Sequence, residues 1–132
     1  MTISADTNVL VRYTMADDPE QAEAARQVMA GEETLCISVT ALCEYVWVLR
    51  RSYHLTVPDI SQALQTLLNA ANVRVDRSTV EAGLAMLEKG GDFADGVIAC
   101  EGQWLGSDKF VTFDQRAAKL LPQIGIPVRY LG

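Results

Sequence analysis

Short β-type runs alternate with longer helical ones along this chain, and that alternation limits the folds open to it more than any other feature. The strand-like runs are Ile3 to Ala5, Leu35 to Ser38, Val73 to Val75, Phe110 to Phe113 and Val128 to Leu131. Between them, apolar residues recur at helical spacing over Val9 to Met15, Pro19 to Met29, Val39 to Tyr53, Ile60 to Asn69, Thr79 to Lys89, Ala94 to Leu105 and Gln115 to Leu121. Strands joined through helices pair in parallel, and a parallel sheet must be covered on both faces. The expectation is an α/β fold with three layers, α/β/α, around a central parallel sheet of about five strands.

The punctuation agrees with this pattern. Asp18-Pro19-Glu20 combines a cap with a proline suited to a first helical turn, Pro58-Asp59 starts another helix, and Gly90-Gly91, Gly106, Gly125 and Pro127 mark stops or turns. No repeat, low-complexity stretch or linker interrupts the 132 residues, so a single domain over 1–132 is expected, with 49% hydrophobic residues to build its core.

Eleven Lys and Arg against 17 Asp and Glu give a formal charge of −6, which argues against a protein that coats nucleic acid by gross attraction. It leaves room for a nucleic-acid enzyme whose carboxylates hold cations and whose basic residues gather on one face. Cys36, Cys43 and Cys100 lie among apolar neighbours without a close pairing, as expected of free, buried thiols in a reducing cytoplasm. The start Met1-Thr2-Ile3, with an acid already at position 6, lacks the basic and apolar regions of a secretory signal. The most apolar stretch, Leu35 to Leu49, contains Glu44 and falls short of the roughly 20 residues needed to cross a bilayer. A cytoplasmic protein without membrane partners is expected.

Four separated acids carry the chemistry. Asp6 follows the first strand in Ile3-Ser4-Ala5-Asp6-Thr7-Asn8, and Asp114 closes Phe110-Val111-Thr112-Phe113-Asp114. Both stand at carboxyl ends of strands, the edge where open α/β sheets place their ligands. Glu44 falls early in the helix entered from the second strand, and Asp95 near the start of the helix that precedes the fourth. Carboxylates in apolar sequence are costly to bury unless paired, protonated or bound to a cation. Oxygen donors with no accompanying His or Cys favour Mg²⁺ or Mn²⁺ over zinc, and such an ion suits phosphodiester hydrolysis.

These residues in this order resemble the PIN-domain nucleases and, among them, the VapC-like toxins of bacterial toxin–antitoxin pairs. The resemblance runs from Ser4-Ala5-Asp6-Thr7-Asn8-Val9-Leu10, through Ser38 to Glu44 and Phe93-Ala94-Asp95, to Val111-Thr112-Phe113-Asp114. It implies a metal-dependent endoribonuclease in which Asp6, Glu44, Asp95 and Asp114 hold Mg²⁺ or Mn²⁺. Thr7, Asn8, Ser38 and Thr112 look like residues that support those ligands. An RNA substrate, a homodimer and a cognate small antitoxin whose tail enters the acidic site are also implied. Two departures stand out. Gln115-Arg116-Ala117 follows Asp114 where some relatives carry another acid, for which Asp92 is the available substitute, and Gly102, Trp104 and Gly106 interrupt a stretch that is smoother helix in many relatives.

Each candidate also has a structural reading. Asp6 and Asp114 can cap helices, a role compatible with binding metal. Glu44 can pair with Arg50 or Arg51. Asp92 and Asp95 can serve as acids in a first helical turn, which is the preferred account of Asp92. Asp17, Asp18, Glu32 and Glu33 read as solvated. Arg12, Arg50, Arg51, Lys109, Arg116 and Lys119 are possible phosphate contacts, with Arg116 foremost, although helical cations are more often solvent-facing or salt-bridged. His54 has no partner motif for general-base work. Trp47 and Trp104 are expected in core or dimer packing rather than base stacking. The competing function is a catalytically silent PIN-like module that binds RNA or protein. A receiver domain needs an acidic pair after its first strand, and an Asp-x-Asp phosphatase fails because Asn8 occupies the second position.

Overall fold

The computed structural model describes residues 1–132, and the chain divides into two compact units, Met1–Asp76 and Arg77–Gly132. The first holds β1 (Thr2–Ser4), α1 (Thr7–Met15), α2 (Pro19–Ala30), β2 (Thr34–Cys36), α3 (Val39–Arg51), α4 (Val57–Asn69) and β3 (Val73–Arg74). The second holds α5 (Arg77–Glu88), α6 (Phe93–Trp104), β4 (Phe110–Thr112), α7 (Gln115–Leu120), a 3-10 turn (Leu121–Ile124) and β5 (Val128–Tyr130). No helix is long and apolar enough to cross a membrane.

Every strand pair is parallel, as strands joined through helices require. In the first unit β2 lies between β1 and β3, with Ile3 opposite Leu35 and Leu35 opposite Val73. In the second, β4 pairs with β5, placing Val111 opposite Arg129. The α/β class and five parallel strands are as expected, but hydrogen bonding groups the strands as three plus two. Strand pairing joins residues distant in sequence, so periodicity alone does not reveal the grouping.

Six helices begin on a side-chain cap that satisfies an otherwise orphaned backbone N–H. Asp18 accepts from Gln21 N at 3.1 Å ahead of Pro19, and Thr56 accepts from Asp59 N at 3.3 Å ahead of Val57-Pro58. The Thr56 cap starts α4 three residues before Ile60, where the apolar periodicity sets in. Asp6, Ser38, Asp92 and Asp114 cap α1, α3, α6 and α7.

Helical periodicity sorts α3 into two faces. Leu42, Tyr45, Val46 and Leu49 are buried, alongside Leu10, Leu35, Ile60 and Leu64 of the same unit. Glu44, Trp47 and Arg51 occupy the exposed side, where the Arg51 guanidinium lies 5.6 Å from the Trp47 ring centroid. In the second unit Met86, Ala99, Ala117, Leu120, Leu121 and Ile126 form the core, with Phe110, Ile124 and Val128 packed against it.

Close approach of α5 and α6 depends on glycine. A Cβ at Gly96 would stand 2.5 Å from the Ala82 carbonyl oxygen and 2.8 Å from Gly83 Cα, while one at Gly83 would meet the Phe93 ring at 2.8 Å. This crossing fixes the first turn of α6, which carries Asp95. The helix ends cleanly at Trp104, followed by Leu105 and by Gly106 in the left-handed conformation at φ 102°. Gly102 lies within the helix without breaking it.

Trp47 and Trp104 are 59% and 72% exposed, so neither is a core residue; Trp47 lies on the exposed side of α3, and Trp104 is the last residue of α6. The three cysteines are free, as expected, but partly rather than fully buried. Arg12 is committed internally: it donates to Gln21 Oε1 at 2.7 Å, Asp17 Oδ1 at 3.2 Å and Tyr53 Oη at 3.1 Å. The Tyr53 hydroxyl, and after it Arg12, hold the Asp17 carboxyl below its ordinary range, so Asp17 is not merely solvated. Its two partners are Arg12, from α1, and Tyr53, which follows α3 and is 36 residues away in sequence.

Candidate metal centre

Each unit carries two of the four candidate acids. In the first, Asp6 follows β1, and its Oδ1 accepts from Val9 N at 3.2 Å. The cap engages one oxygen and leaves Oδ2 open, so Asp6 can hold a helix start and ligate an ion with the same group. Thr7, the next residue, donates its hydroxyl to Glu44 Oε2 at 3.4 Å, a long contact that links the start of α1 to the exposed face of α3. Glu44 therefore meets Thr7 and not Arg50 or Arg51, the pairing its sequence neighbours suggested. Ser38 accepts from Ala41 N at 3.1 Å and sets the entry of the helix that carries Glu44. Asn8 is exposed on the first turn of α1.

In the second unit, Asp92 and Asp114 are both helix caps, accepting from Ala94 N at 2.8 Å and Ala117 N at 2.9 Å. Thr112 Oγ1 accepts from Asp114 N at 2.9 Å, which fixes the backbone as it leaves β4. Asp95 caps nothing. It is half-buried in the first turn of α6, and burial first, then the charges of Asp92 and Asp114, push its carboxyl above the ordinary range. Arg116 Nη1 donates to the Gly90 carbonyl at 3.0 Å.

The donor set is entirely oxygen. Three or more His, Cys, Asp or Glu side chains are nowhere drawn together as a ready metal-holding group. What the second unit does contain is a half-buried carboxylate made less comfortable by two others, and a divalent cation relieves that strain directly. The residues present therefore fit Mg²⁺ or Mn²⁺, which take carboxylate oxygens and retain waters. Sequence reasoning passed over Lys89, which stands with Arg116 and Lys119 along one groove of the second unit. No local motif marks it, because the contact of Arg116 with Gly90 spans 26 residues.

No curated protein matches the chain. The PIN domain family model covers residues 3–120, from the first strand through the last residue of α7, and spans all four acids. PIN domains are generally nucleases and typically use divalent metals. On a match that takes in nearly the whole sequence, the chain belongs to the PIN domain family.

Proposed function

We propose that this PIN domain is a Mg²⁺- or Mn²⁺-dependent endoribonuclease, the toxin of a bacterial type II toxin–antitoxin pair, with Asp6, Glu44, Asp95 and Asp114 holding the ion. The observation that carries the reading is the Asp95 carboxyl, half-buried and raised by burial and by Asp92 and Asp114, a charge arrangement suited to a cation. Asp92 is the acid that would stand in for the one absent after Asp114.

When bound, the ion supplies Lewis acidity toward a phosphoryl oxygen and a water, so hydrolysis needs no histidine. The chain's own residues supply position. Asp6 and Asp114 each anchor a helix start through Oδ1. Thr7 restrains Glu44, and Thr112 restrains the backbone of Asp114. Arg116, tied to the Gly90 carbonyl, keeps further N–H donors for a substrate phosphate.

An antitoxin and a second copy of the chain are the proposed protein partners, in a cytoplasmic setting. Exposed large apolar side chains support some partner: Trp104, Leu105 and Phe113 are 72%, 90% and 75% exposed.

The test is cleavage of total cellular RNA by purified protein and its Asp6→Asn variant, each with Mg²⁺, Mn²⁺ or chelator. Discrete fragments from the wild type with metal alone are expected. No cleavage, with partner removed and substrate controls in place, would make a silent RNA- or protein-binding module the better reading.

A further inference from the structure

In the second unit, Lys89, Gly90, Gln115, Arg116, Lys119 and Leu120 line an open groove of about 950 Å³. A water takes roughly 30 Å³ in the liquid, so this space suits an extended ligand rather than a lone ion. The lining carries three cations and no carboxylate, in a chain of net charge −6. Neither the Arg12–Asp17 nor the Arg26–Glu23 ion pair takes up a groove cation, so Lys89, Arg116 and Lys119 keep their charge for a ligand.

The groove is also built. Arg116 reaches across it to the Gly90 carbonyl at 3.0 Å, which orients a guanidinium with donors to spare. Gly90 takes φ 90° just beyond α5, and a Cβ there would meet nothing within 4 Å, so this wall is bare, accessible backbone. Arg116 and Lys119 are three apart on α7 and share a face, and α7 starts directly on the cap Asp114. Positive charge thus begins beside one of the candidate metal ligands.

We infer that this groove holds the sugar–phosphate backbone of single-stranded RNA as it passes Asp114, with Lys89, Arg116 and Lys119 contacting phosphates and Gln115 supplying a neutral polar contact. The inference rests on the ribonuclease reading for the identity of the polyanion. A strongly acidic protein repels RNA at long range, so local, unpaired cations must supply the attraction.

The test measures the affinity of the full-length protein for a labelled single-stranded oligoribonucleotide across a salt series, in chelator so that no strand is cut. Lys89→Ala/Lys119→Ala is compared with wild type and with Arg129→Ala, an exposed cation on β5 outside the groove. Each lost phosphate contact lowers the salt slope by about 0.7 for a single strand, so the double variant should lose about 1.4 and bind roughly tenfold more weakly. The control should keep the wild-type slope. An unchanged double variant, an equal loss in Arg129→Ala, or a wild type that does not bind the oligoribonucleotide overturns the groove assignment. The nuclease reading fails separately: binding that depends on the groove without metal-dependent cleavage sinks that reading alone, and cleavage with groove-independent binding sinks this one alone.

Discussion

Burial raises a titrating group in each half of the molecule, with opposite consequences at neutral pH. In the first unit it is Tyr45, fully buried and hydrogen-bonded to the Thr14 hydroxyl, whose phenol is pushed up to about 12. A phenol is neutral at pH 7, so its burial there desolvates no charge, and the bond with Thr14 satisfies the hydroxyl. In the second unit it is Asp95, which is pushed up by burial and then by Asp92 and Asp114. A carboxylate is charged at pH 7, so its burial is unfavourable until a proton or a cation arrives. The same physical cause makes one residue a quiet part of the core and the other a centre of unmet charge. Proximity to other acids, not burial alone, separates a candidate ligand from a packed polar residue.

The sharpest way to break this contrast is Asp95→Asn. Removing a residue that merely supports a ligand typically costs 10–100-fold in metal affinity or activity, so loss of a ligand should reduce cleavage by more than about 100-fold. The metal-free variant should melt at or above the wild-type temperature, because an amide relieves the repulsion. With metal at 100 times Kd, the wild type should gain about 2.7 kcal/mol, and Asp95→Asn and Glu44→Gln should gain less. An unchanged thermal shift in Asp95→Asn would remove it from the metal site.

Asp6 offers the next test, since its two roles respond differently to substitution. Asn caps a helix about as well as Asp, so Asp6→Asn should keep stability while losing cleavage; Asp6→Ala should lose cleavage and about 1 kcal/mol as well. Chemical denaturation of the pair measures the difference. Equal stability would mean that the bond to Val9 N contributes nothing.

The smallest effect belongs to Tyr45. Its folded pKa lies above the ordinary phenol value of about 10, so its contribution is complete below pH 10 and is lost as pH rises toward 12. Tyr45→Phe should cost about 1 kcal/mol at pH 7 through the lost Thr14 bond and should flatten the stability loss above pH 10. An alkaline profile identical to wild type would refute the assignment.

Much of this was legible in the order of residues. The strands fall within a residue or two of the apolar runs that announce them, and the helices start where Asp6, Asp18, Ser38, Thr56, Asp92 and Asp114 offer an oxygen to a free N–H. The 3-10 turn at Leu121–Ile124 was not legible, because Pro122 extends the helical run in a tighter form without a separate periodic signal. Arg12 was the least predictable cation, since Asp17, Gln21 and Tyr53 claim a side chain that sequence leaves open for phosphate.

By itself, then, the sequence determined the α/β alternation, the capped helix starts and the four acids, because propensity, capping and periodicity act over a few residues at a time. Only the tertiary structure decided that five parallel strands pair as three and two, that Thr7 rather than an arginine meets Glu44, and that Lys89 joins Arg116 and Lys119 along one groove. It also decided that Asp95 is the acid raised by burial and by its neighbours. Those outcomes depend on burial and on distances between residues far apart in the chain, and coulombic and hydrogen-bond energies are set by such distances rather than by sequence separation.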